Sequence, residues 1–124
     1  MTAKATIETQ GDFLRVTVTG VIRTLEEIAD YSRQYRLEAN RLGLRRVFID
    51  YREAYFMMDY HDLLELAEYA TEQGFHLHGL RIAALCSPEG VDLHRKYETI
   101  AHNRSIAYRA FTDSAEAEEW LARS

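Results

Sequence analysis

The chain has a single cysteine, Cys86, so no disulfide can form within it, and a reducing compartment suits it. No stretch approaches the roughly 20 consecutive apolar residues that a membrane-spanning helix requires. Lysine occurs only at Lys4 and Lys96, and 20 acidic residues against 15 basic ones leave a net charge of −5. That balance excludes broad, sequence-independent binding to nucleic acid, which needs many cations facing phosphates. A glycine-rich phosphate loop, a nucleophile elbow and a zinc-ligand spacing are all missing, as are repeats, low-complexity tracts and linkers. Met-Thr-Ala-Lys-Ala-Thr-Ile-Glu at the start carries no apolar core of the kind a signal peptide needs. The expected location is the cytoplasm.

What remains is an ordinary globular composition. At 124 residues, 47% hydrophobic and 28% charged, the sequence reads as one domain over 1–124 with one core. Ala5 to Thr9 forms a short strand, Gln10-Gly11-Asp12 a turn, and Phe13 to Thr19 a second strand. In the second strand Leu14, Val16 and Val18 alternate with Phe13, Arg15, Thr17 and Thr19, so a hairpin of antiparallel strands is expected. Thr24 with Glu27 three residues on is a capping box that opens a helix. Leu25, Ile28, Ser32, Tyr35, Ala39 and Leu42 make its inner stripe, and Gly43 stops it.

Val47-Phe48-Ile49 is an all-apolar run typical of a strand buried on both faces, and it ends on Asp50. Residues 51–58, rich in aromatics and Met, read as a loop leading to a helix capped by Asp59 and running to Gly74. Its stripe is Leu63, Leu66, Ala67 and Ala70. Leu80 to Cys86 is a further strand, and Ser87-Pro88-Glu89-Gly90 breaks the pattern. A helix over about 92–103 follows, with Leu93, Tyr97, Ile100 and Ala101 inward. Ile106 to Phe111 is the last strand, and Asp113 with Glu116 starts the last helix. The order β-β-α-β-α-β-α-β-α implies an α/β fold with right-handed crossovers, a mostly parallel sheet and an N-terminal antiparallel hairpin.

That order, with Val18-Thr19-Gly20-Val21-Ile22, Val47-Phe48-Ile49-Asp50 and Phe111-Thr112-Asp113-Ser114-Ala115-Glu116-Ala117-Glu118-Glu119-Trp120-Leu121, resembles the anti-sigma-factor-antagonist-like (STAS-like) family of bacterial proteins. The similarity runs over nearly the whole chain and is greatest to the small SpoIIAA-like members. It implies a non-enzymatic binding fold with interaction surfaces near the second helix. In signalling members a phosphorylated Ser follows an Asp at the start of that helix. Here Asp59 is followed by Tyr60, so the short hydroxyl that a partner kinase modifies is replaced by a phenol.

In an open α/β sheet, ligands bind beyond the carboxyl ends of the parallel strands. The candidate ligand or partner surface is therefore Asp50, Tyr51, Tyr55, Phe56, Met57, Met58, Asp59, Tyr60 and Cys86. Aromatics and Met in one stretch suit an adaptable interface or an apolar pocket, and equally a plain cover for the sheet end. The leading expectation is a non-catalytic module that acts by binding another protein and is itself a homodimer. The alternative is a carrier or sensor of a small apolar or lipid-like ligand, with a pocket between 51–58 and the third helix. No cofactor is implied.

Weaker alternatives are chemical. Cys86 at a strand end is a thiolate candidate but reads better as an inert buried residue. Asp50 and Asp59 as an acid–base pair compete with loop hydrogen bonding and helix capping. His76 and His78 are too few ligands for a metal site. Arg33, Arg36, Arg41, Arg45 and Arg46, on or just after the first helix, read as a solvated face paired with nearby acids rather than an anion site.

Overall fold

A computed structural model describes residues 3–75 and 79–123. The elements are β1 (Lys4–Gln10), β2 (Phe13–Ile22), α1 (Leu25–Leu42), β3 (Arg46–Phe56), α2 (Tyr60–Glu72), β4 (Arg81–Leu85), α3 (Val91–His102), β5 (Ala107–Phe111) and α4 (Ser114–Ala122). The strands form one sheet in the order β1-β2-β3-β4-β5, antiparallel between β1 and β2 and parallel elsewhere. The mixed sheet and the element order are those the hydrophobic pattern predicts.

Each of α1, α2 and α3 links two neighbouring parallel strands. Crossovers of one hand must then put all three on the same face of the sheet. Leu14, Val16 and Val18 of β2, Val47 and Ile49 of β3 and Ile82 of β4 are buried on that face, against Ile28, Tyr31, Tyr35 and Ala39 of α1. The opposite face has a smaller core, in which Phe48, Ala83, Leu85 and Phe111 meet Ala117 and Leu121 of α4. The Arg81 guanidinium lies 3.7 Å from the Trp120 ring and donates to the Trp120 carbonyl, tying α4 to β4.

Local signals set the helix ends. The Glu27 N–H donates to Thr24 Oγ1 at 3.3 Å while Glu27 Oε1 accepts the Thr24 N–H at 3.0 Å, completing the capping box. Thr24→Ala is expected to lower stability by about 1 kcal/mol, measured as a shift of the urea midpoint at unchanged slope. At the other end Gly43 takes φ 69°, a left-handed conformation that lets its N–H reach the Ala39 and Asn40 carbonyls.

One boundary differs from expectation. Tyr51 to Phe56 is not a loop but the second half of β3, and Gly20 to Ile22 extends β2 alongside it. β3 pairs with β4 only as far as Asp50 opposite Leu85, so beyond that point β2 and β3 project as a two-stranded arm. The alternating pattern there is broken by a bulge, which hid the strand.

Candidate functional site

The bulge decides which side chains of the arm point where. Thr17 pairs with Asp50 and Thr19 with Glu53, so one residue of β2, Val18, stands opposite two of β3, Tyr51 and Arg52. Strict alternation from Ile49 and Tyr51 would carry Glu53 and Tyr55 to the helix-covered face. The extra residue instead brings Ala54 and Phe56 inward, opposite Gly20 and Ile22, and turns Tyr55 out.

Asp50 holds this kink. Its Oδ1 accepts the Arg52 backbone N–H at 3.1 Å, and both carboxylate oxygens take the Arg52 guanidinium, at 3.0 and 2.8 Å. Arg15 adds a weaker contact at 3.4 Å. Burial raises the Asp50 pKa, but the Arg52 hydrogen bonds and the charges of Arg52 and Arg15 outweigh it and hold the carboxyl below its ordinary value. Asp59 is engaged separately: Oδ1 accepts the Asp62 N–H at 3.0 Å, and Asp62 Oδ2 accepts the Asp59 N–H at 2.9 Å. These capping bonds from Asp62 hold the Asp59 carboxyl below its usual range. The two carboxylates share no partner, and each is committed to backbone.

On the helix side of the arm lies a cavity of about 50 Å³. Six of the eight tyrosines wall it: Tyr31 and Tyr35 from α1, Tyr51 from β3, Tyr69 from α2, Tyr97 from α3 and Tyr108 from β5. Phe56, Met58, Leu63, Leu66 and His94 complete the side towards α2 and α3. Tyr31 and Tyr51 share a hydroxyl hydrogen bond of 2.7 Å, and His94 Nδ1 meets the Tyr108 hydroxyl at 3.0 Å. The His94 ring stacks on Tyr51, with centroids 4.8 Å apart, and takes Phe56 edge-on. Burial pushes His94 down to about 4, so the ring is neutral at pH 7. The same burial raises Tyr31, Tyr51 and Tyr108 well above the ordinary phenol value, so these hydroxyls keep their protons.

Of the residues the sequence singled out, Tyr51, Phe56 and Met58 meet at this cavity. Asp50 lies on the other face of the sheet and Asp59 caps α2. Cys86 is buried, its Sγ 3.6 Å from the Ala84 carbonyl oxygen, and burial pushes its thiol up to about 12, the reverse of an activated thiolate. Tyr55, Met57 and Tyr60 point outward, with 67%, 56% and 55% of their surface exposed. Sequence reasoning missed His94, Tyr31, Tyr69 and Tyr108. Its only available signals were the high tyrosine count and the inward positions of Tyr35 and Tyr97 on their helical stripes.

The arginines of the first helix region are mostly paired or stacked. Arg33 meets Asp30 at 3.5 Å, Arg41 meets Glu38, and Arg46 meets Asp12 at 2.7 Å. Arg36 donates to the Gln73 carbonyl and lies over Phe75. His76 and His78 lie outside the described residues. Among the described residues, no group of three His, Cys, Asp or Glu is placed to hold a metal, and no helix is long and apolar enough to cross a membrane.

No family model and no curated protein sequence matches the chain. Solved structures do. One is an uncharacterized protein of the DUF3478 family with a SpoIIAA-like fold, from Shewanella loihica PV-4, at 17% identity and TM-score 0.59, covering 97% of this chain and 93% of that one. Another is an anti-sigma factor antagonist from Mycobacterium paratuberculosis, at 14% identity and TM-score 0.58, covering 98% and 96%. The chain therefore has a SpoIIAA-like fold.

Proposed function

We propose that this SpoIIAA-like domain is a non-catalytic, regulatory binding module whose partner is another protein, and that the partner docks on the ridge of Tyr55, Met57 and Tyr60. The observation that carries the reading is the clustering of exposed large apolar side chains. Single exposed apolar residues are common on any surface. Here three of the five among the described residues fall within six positions of the chain, at the junction of the β2–β3 arm with α2. Tyr and Met are enriched at interfaces, and a paired strand end beside a capped helix presents them here. The bulge that turns Tyr55 outward thereby serves the surface as well as the core.

The similarity to an anti-sigma factor antagonist supports a protein partner rather than a substrate. The engagement of Asp50 and Asp59 by backbone, and the raised thiol of Cys86, argue against acid–base or nucleophilic chemistry at this end of the sheet. Cytoplasmic residence accords with the single unpaired cysteine.

A second copy of the chain is the simplest partner. Sedimentation velocity at micromolar concentration is expected to give a dimer for the native protein, and at least a tenfold weaker one for Tyr55→Ala with Tyr60→Ala. A native monomer removes the homodimer and leaves a different protein as the occupant of the ridge.

A further inference from the structure

We propose that the tyrosine-walled cavity between the sheet and helices α1, α2 and α3 is a binding site for a small uncharged molecule that carries an oxygen acceptor. It lies inside the domain, behind the arm that carries the exposed ridge, and is inferred independently of what docks outside. Four of its polar groups are paired with one another, Tyr31 with Tyr51 and Tyr108 with His94. Tyr35 and Tyr97 are also at least nine-tenths buried and line the same cavity. Their hydroxyls find no hydrogen-bond partner among the described residues. Native interiors seldom leave a buried donor unmade, because its desolvation is then uncompensated. Two such phenols on one small cavity call for an acceptor between them.

The rest of the wall sets the chemistry of the occupant. Ile28, Ile49, Leu63, Leu66 and Ile82 supply apolar surface, and no Asp, Glu, Lys or Arg lines the cavity. His94 stays neutral and the phenols stay protonated. No side chain of the wall offers an ion a counter-charge, which disfavours carboxylates and ammonium groups. About 50 Å³ exceeds the roughly 10–15 Å³ that one water needs and falls short of the roughly 150 Å³ that holds benzene. The occupant is therefore a molecule of a few heavy atoms, a short ketone or aldehyde in class. The pocket that the sequence placed between 51–58 and the third helix thus acquires its walls and its polarity.

Acetone and acetate, alike in shape and different in charge, make the direct test by amide-resolved NMR titration of the full chain. Acetone is expected to shift resonances of α1, α3 and the 51–56 arm saturably, and acetate is not. Tyr35→Phe and Tyr97→Phe are each expected to weaken acetone about fivefold to tenfold, the loss of one hydrogen bond. Each should leave the Tm of the free protein unchanged or raised, because it removes an unpaired hydroxyl; a purely structural hydroxyl would lower the Tm on removal. Ala70→Val puts two methyl groups into the cavity and is expected to abolish the response. The two Phe variants carry the test alone if Ala70→Val does not fold. Non-saturating shifts, an equal response to acetate, or an acetone affinity unchanged in both Phe variants would overturn the site and leave a cavity that takes water only. A monomeric protein with a saturable acetone site would still uphold this inference, so the ridge and the cavity fail separately.

Discussion

Asp50→Ala is expected to lower the stability of the domain by roughly 2–3 kcal/mol, between the cost of a lost charged hydrogen bond and that of breaking a buried ion pair. The lower part of the buried-pair range applies because Arg52 is half exposed and regains water when its partner is gone. The loss exceeds that of an ordinary surface pair, worth under about 1 kcal/mol, because the carboxylate also accepts the Arg52 backbone N–H at the bulge. Asp50→Asn keeps an acceptor for that N–H but loses the charge, and should fall between Ala and the native protein. Urea midpoints of the three proteins give this order. An Asp50→Ala change within 0.5 kcal/mol of native, the spread of an ordinary surface substitution, would mean that the bulge is held by the register of β2 alone.

Acid is expected to weaken the fold in two successive windows, and His94 sets the first. Its folded pKa is about 4 and its unfolded value about 6.5. Between those limits the unfolded chain binds a proton that the folded one refuses, so stability is complete above about pH 6.5 and falls as the pH drops towards 4. The full contribution is on the order of 3 kcal/mol, with about 2 kcal/mol of it gone between pH 7 and pH 5. No charged side chain lines the cavity, and the ring is flanked by Tyr51, Phe56 and Tyr108, so nothing nearby compensates the imidazolium. Asp50 sets the second window. Its folded pKa lies below the unfolded one, so its contribution is present above about pH 3.9 and is lost as the pH falls through the lower folded value. Urea midpoints from pH 7.5 to 4.5 measure the first window, and His94→Gln should flatten it. A native slope that persists in His94→Gln would assign the acid sensitivity to other groups.

What the sequence disclosed follows from the range of the interaction concerned. Helix starts at Thr24, Asp59 and Asp113 were legible because a cap is a bond between residues three apart. Strands at 47–49 and 82–85 were legible because burial on both faces leaves a continuous apolar run. The second half of β3 was not. Its six residues alternate only once the bulge at 51–52 is known, and that bulge is a property of pairing with β2. The candidate site was half legible for the same reason. Tyr51, Phe56 and Met58 stood out as neighbours in sequence, whereas Tyr31, Tyr69, Tyr108 and His94 come from α1, α2, β5 and α3 and meet only in the folded domain. A lone His on a helix gives no local sign that it will be packed against aromatic rings.

The claim at the centre of this account is that another protein occupies the Tyr55–Tyr60 ridge, and site-specific photo-crosslinking in the native cell tests it most directly. A photoreactive residue at position 55 or 60 is predicted to yield a discrete adduct with a protein, a second copy of the chain included. The same group at Leu37, which is 61% exposed on α1 and lies outside the ridge, is predicted to yield none. Adducts that are the same at all three positions, or absent from 55 and 60, would contradict the account.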